Sequence, residues 1–204
     1  MSERRQAYNG GVVIVDRTSL TAGIANNLRG MPILSRFGTR RPLTAINAVV
    51  LHQMGFDRGD RPDQYDTVIA HFAVLRDGTV LQLRPVEALL DDAHARASLH
   101  IEFASFGAEG LATSEEIADG TAGSRVPTWA EVEAGRQLVR HLWSRHALRY
   151  VYAHRQFNLH GRPNCPGPHI WYNVGHWAAV SLGLSSEGAP RPIPDAWLDP
   201  AARV

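Results

Sequence analysis

Cysteine is nearly missing. Cys165 is the sole one among 204 residues, so no intrachain disulfide staples the fold and an apolar core must hold it. Long hydrophobic runs are missing as well. No stretch approaches the eighteen or so apolar residues of a membrane-spanning helix, so no membrane insertion is expected. The five-residue run Gly11–Val15 before Asp16 is too short for the h-region of a secretory signal. The protein is therefore expected in the cytoplasm, or released by a non-Sec route such as phage lysis or a secretion machine. An excess of one charge is also lacking. Lys plus Arg number 21 against 20 Asp plus Glu, a net charge of +1. That balance argues against nucleic acid as a partner, because polyanion binding rests on a strong basic field. There is no internal repeat, no His-Glu-x-x-His and no Cys-x-x-Cys.

What is present fits one ordinary domain. Hydrophobic residues make up 44% and charged ones 20%, close to the soluble average, so a real core can form. Histidine stands out, with ten copies beside the single cysteine. Such a count means either a metal site or mere composition.

Along the chain, Val12–Val15 is β-branched and reads as a strand, and Ser19–Leu28 as a short helix. Ala45–His52 is an apolar run of strand length. His71–Leu75 and Thr79–Leu83 flank Arg76-Asp77-Gly78, a strong hairpin signal. Leu99–Phe103 and Tyr150–Ala153 read as further strands, and Phe106–Arg125 as loop. Thr128 and Glu131 have capping-box spacing, and Val132, Leu138, Val139, Leu142 and Trp143 follow at helical intervals, predicting a helix over 129–147. Ile170–Leu182 reads as a C-terminal helix, and the Pro-rich stretch after Ser185 as a tail. Trp129 and Trp143 are expected in the core, and Trp171 as core packing at a helix start. The pattern favours an α/β fold, a central mixed sheet flanked by helices. The chain divides into an N-terminal extension (1–43), a domain (44–182) and a C-terminal tail (183–204).

Three residues suit a metal by context. His52 and His154 each end a predicted strand, which fixes a ligand rigidly, and Cys165 lies beside prolines in Asn164-Cys165-Pro166-Gly167-Pro168. Two imidazoles and a thiolate suit Zn²⁺ and leave a fourth position open, the catalytic arrangement. Read by themselves, such residues are more often hydrogen-bonded structural histidines and a small buried hydrophobe than metal ligands.

Several segments together resemble the zinc amidases that include T7-type lysozyme, AmpD-like recycling amidases and peptidoglycan recognition proteins. They are Ala48-Val49-Val50-Leu51-His52, the hairpin opening Ala70-His71-Phe72 and turning at Arg76-Asp77-Gly78, and Ser98-Leu99-His100-Ile101-Glu102. The helix after Thr128, Ala153-His154-Arg155 and Cys165-Pro166-Gly167-Pro168 follow in the family's order. The resemblance spans about Thr44 to Trp177. It implies a mixed sheet with zinc in a surface groove, one ion per chain, held by His52, His154 and Cys165. It implies hydrolysis of the amide between N-acetylmuramic acid and L-alanine in peptidoglycan or muropeptides by a monomer, with Glu102 as general base or water-orienting carboxylate. The rival reading is a peptidoglycan-binding module without turnover. The chain departs from the family at three places. Ala70 stands where some members have a catalytic Tyr. Pro163 stands where many have Lys or Thr, which makes Arg162 either a substitute cation or a solvated loop residue. His100 replaces a Gly and is either a second proton carrier or space-filling. His94 is a candidate substrate contact at the groove rim. His71 is first a structural hydrogen-bonding residue under the site and second a substrate contact. The other five histidines read as composition.

Overall fold

The structure is a computed structural model that describes residues 4–7, 11–34, 40–92, 94–106, 115–116, 122–158 and 160–204. Seven strands form one mixed sheet: β1 (Arg4–Ala7), β2 (Val13–Asp16), β3 (Ala48–Met54), β4 (Phe72–Val74), β5 (Val80–Gln82), β6 (Ser98–Phe106) and β7 (Tyr150–Ala153). Their order is β1-β2-β5-β4-β6-β3-β7. The right half, β4-β6-β3-β7, is all parallel, whereas β1 with β2 and β4 with β5 are antiparallel. Among the described residues the helices include α1 (Thr18–Thr21), α2 (Trp129–Arg145), α3 (Pro168–Ile170) and α4 (Trp177–Leu182), with a π-helical stretch (Trp171–His176) joining the last two. The α/β class with a mixed central sheet is as the sequence suggests.

β3 is buried along its whole length, as expected of a parallel strand covered on both faces. Its alternate residues divide two environments. Val49 and Leu51 join Leu99, Ile101, Phe103 and Val151 in the main core, under Val132, Leu138, Val139 and Leu142 of α2 and under Trp171 and Val174. Ala48 and Val50 face the other side with Tyr152, and His52 lies in that same alternation. β6 repeats the pattern, so His100 and Glu102 share the face away from α2. The functional site is thus built on the sheet face opposite the long helix.

Several elements differ from expectation. The segment expected as an extension contributes β1 and β2 to the sheet itself, with Ile14 paired to Val80 and Asp16 to Gln82. The Ser19–Leu28 helix is only the four residues of α1. The tail folds back, burying Trp197 and Ala202 against the core. Trp129 and Trp143 are exposed at 57% and 43%, not core; Trp129 carries the Arg136 guanidinium over its ring instead. Trp171 is buried as expected. Most of the 106–125 stretch, read as loop, lies outside the described residues.

Candidate metal centre

Register brings the ligands together. His52 of β3 pairs with Glu102 of β6, and Leu51 pairs with Ala153 of β7, so His154, the next residue, stands beside His52. Their rings lie 4.4 Å apart, centroid to centroid. Cys165 is brought in by its loop, where Arg155 N–H donates to the Cys165 carbonyl at 3.0 Å. The Gln53 N–H donates to Cys165 Sγ at 3.4 Å. The ligand atoms of His52, His154 and Cys165 all lie within 4.8 Å of one another, and all three residues are buried.

The chemistry of this set fits zinc. Both ring nitrogens of His154 are buried with no well-aligned hydrogen-bond partner, although Asp92 Oδ1 approaches Nε2 to 3.2 Å. Buried polar atoms are seldom left unsatisfied, and a cation would complete one of the two. Burial, moderated by Asp92, holds the His52 pKa well below its usual value, so the imidazole is neutral and offers a lone pair. Burial, followed by the nearby Glu102 carboxylate, pushes the Cys165 thiol up. Ligation must therefore displace a proton from sulfur.

The donors open onto a groove of about 410 Å³ whose lining includes Glu102, Arg58, Arg162 and Asp92. Glu102 is partly buried; desolvation, then the Asp92 charge, raises its carboxyl to about 8, against the pull of Arg162 and Arg58. Arg162 is exposed on the groove wall and reaches back toward Gly55 of the opposite side. Leu28, Arg29 and Met31, from the segment before β3, form part of the same wall.

The remaining predicted residues divide. His100 belongs to the cluster: it is fully buried, with Nδ1 2.9 Å from His52 Nε2. His71 does not touch the groove. The His100 backbone N–H donates to its Nδ1 at 3.0 Å, which places the ring proton on Nε2, where it reaches the Ala88 carbonyl at 3.0 Å. It is therefore a structural residue beneath the site, and its second reading as a substrate contact falls because the ring is wholly buried. His94 lies outside the groove lining. It is exposed, sits at φ 57°, stacks on Phe157 and contacts Ser98 Oγ through Nδ1 at 2.5 Å. His169, read as composition, is buried and bonds the Ala202 carbonyl through Nδ1 at 3.0 Å.

Sequence reading missed Asp92, whose carboxylate sits among His52, His100 and His154 at 3.2–3.6 Å. Its only linear signal is the acidic doublet Asp91-Asp92 just before His94. Arg58 was missed too, since nothing in its Gly- and Asp-rich loop marks it.

Solved structures share the fold at low identity. Bumblebee peptidoglycan recognition protein SA matches with 14% identity and a TM-score of 0.54, over 88% of this chain and 98% of its own. A human recognition protein solved in complex with glycosamyl muramyl pentapeptide matches with 14% identity and a TM-score of 0.52, over 84% and 98%. The N-acetylmuramoyl-L-alanine amidase LysC from Clostridium intestinale matches with 18% identity and a TM-score of 0.50, over 74% and 96%. No curated protein matches by sequence. The family model described as N-acetylmuramoyl-L-alanine amidase matches residues 42–168, more than half of the chain, and the protein belongs to that family.

Proposed function

We propose that the protein is a zinc-dependent N-acetylmuramoyl-L-alanine amidase that cleaves the lactyl amide joining N-acetylmuramic acid to L-alanine in peptidoglycan or muropeptides. The observation that carries this reading is the convergence of His52, His154 and Cys165 in a groove beside Glu102. A zinc ion in that set supplies an acidified water, with a pKa near about 7, and a Lewis acid for the scissile carbonyl. Glu102, raised to about 8 by burial and by Asp92, would be drawn to its charged form by a dication beside it, and would then accept the proton of the attacking water and hand it to the departing alanine amine. Arg162, a permanent cation on the groove wall, faces the developing oxyanion. Cys165 acts as a ligand and not as a nucleophile, so no acyl-enzyme forms. The protein works as a monomer.

Two measurements test this. Metal analysis is expected to give about one zinc per chain, lost in Cys165→Ser. Digestion of sacculi or soluble muropeptides is expected to release stem peptides with a free L-alanine amino group. Glu102→Gln is expected to keep its zinc and lose about 10²–10⁴-fold in turnover. Fragments that bind without any new amine would establish the binding-module reading instead, which the recognition proteins among the structural neighbours keep in view.

A further inference from the structure

The metal triad leaves two groups unexplained, the buried His100 and the half-buried Asp92. Asp92 and His100 crowd the same few ångströms, and neither belongs to the His52–His154–Cys165 set. His52, Asp92 and His100 form a second group of three ligand atoms within 4.8 Å of one another, and it shares His52 with the first.

We propose that Asp92 is a fourth protein ligand of the metal. The ion then rests in a closed set of His52, His154, Cys165 and Asp92, and gains its open position only when the carboxylate lets go. This rests on the metallo-amidase reading above.

Distance supports it first. Zinc binds nitrogen and oxygen at about 2.0–2.1 Å, so neighbouring donors in a tetrahedron lie about 3.3 Å apart. Asp92 Oδ1 is 3.2 Å from His154 Nε2, and Asp92 Oδ2 is 3.6 Å from His52 Nε2. The carboxylate therefore lies within ligand-to-ligand distance of both imidazoles, Oδ1 beside His154 and Oδ2 beside His52.

Charge supports it second. A dication held by two neutral imidazoles and one thiolate keeps a net charge of +1 in a buried site, and uncompensated buried charge is costly. The Asp92 carboxylate neutralises it. Asp92 belongs to the connection that enters β6, whereas His52 is locked within β3. Releasing the carboxylate therefore requires no change in the sheet.

His100 then has a positioning role. Its Nδ1 lies 3.4 Å from Asp92 Oδ2 and 2.9 Å from His52 Nε2. Once the His52 lone pair is on the ion, the His100 Nδ1–H can turn only to Asp92. His71 pins the His100 backbone from below. A glycine at position 100 could not brace the carboxylate.

The test reads metal binding rather than turnover. Zinc affinity is measured by chelator competition for the wild type, Asp92→Ala and Cys165→Ser. Azide, a small anion that needs an open coordination position, is titrated against the cobalt-substituted protein by visible absorption. Asp92→Ala is expected to weaken zinc about 10-fold or more and to tighten azide by a similar factor. Should Asp92→Ala not fold, Asp92→Asn keeps the shape, removes the charge and is read in the same way. Zinc affinity within twofold of wild type together with unchanged azide binding would overturn the assignment. Wild-type protein that takes up no zinc would instead overturn the metallo-amidase reading on which it rests.

Discussion

At the scale of single residues, the centre depends on histidines that stay neutral. His71 shows the cause most simply, because it is fully buried and is not a metal ligand. Burial first, then the neighbouring His100 and Arg41, holds its pKa well below the usual value. A protonated ring could not accept from the His100 N–H. The folded state therefore keeps His71 neutral, while the unfolded chain takes up a proton near pH 6.5. Because the folded pKa is depressed, this contribution is complete above about pH 6.5. It is lost as pH falls below that value, by up to about 1.4 kcal/mol per pH unit. Urea unfolding of metal-free protein between pH 7.5 and 5 is expected to show a shallower acid-side loss in His71→Asn than in wild type. Parallel curves would mean that His71 is not the residue held neutral. Residues of this kind were unequally visible in the sequence. His52, His154 and Cys165 could be picked out because each lies in a segment that resembles the family, although β3 runs two residues past His52 rather than ending there. Asp92 could not, because its partners come from β3, β6 and the turn after β7, and only tertiary register brings them to it.

At the scale of elements, α2 fixes the sheet from behind the site. Gly135 is the point of closest approach, and a Cβ there would meet the Phe103 ring at 2.6 Å. Phe103 follows Glu102 on β6, so the helix packs directly behind the strand that carries the proposed base. Gly135→Val adds branched bulk that a closely packed core cannot absorb and is expected to destabilise by about 1–3 kcal/mol. An unchanged urea midpoint would show that the helix does not dock there. Local chemistry explains which elements could be foreseen. The hairpin turns at Gly78, at φ 88°, where a side chain would be strained. The Thr128 hydroxyl accepts from the Glu131 N–H at 3.0 Å, which starts α2 as its capping spacing suggests. The interruption between α3 and α4 had no such signal. There the Trp171 indole lies against Gly175, four residues on, where a Cβ would come within 2.6 Å.

At the scale of the whole molecule, the family-matched residues 42–168 do not make up the entire folded unit. From one end, β2 extends the sheet beyond β5, buries Val12, Ile14 and Val15, and sets Arg17 on Asp66 through two hydrogen bonds of 2.7 Å. From the other end, Trp197 enters the main core, and the Arg155 guanidinium lies over its ring at 4.9 Å. Arg155 directly follows the candidate ligand His154, so the C-terminal segment packs behind the proposed metal site. Pairing of strands distant in sequence leaves no local pattern, which is why both ends read as appendages. If they are parts of one cooperative core, point changes in them act like core changes. Ile14→Ala is expected to cost about 2–5 kcal/mol and Trp197→Ala about 3–5 kcal/mol, each within a single unfolding transition. Fluorescence and circular dichroism melts of the two variants measure this directly. Two separated transitions, or midpoints equal to wild type, would show that the ends are independent of the core. Zinc affinity distinguishes the two ends further. Trp197→Ala removes the packing behind Arg155 and is expected to weaken zinc severalfold, whereas Ile14→Ala, at the far side of the sheet, is expected to leave it unchanged.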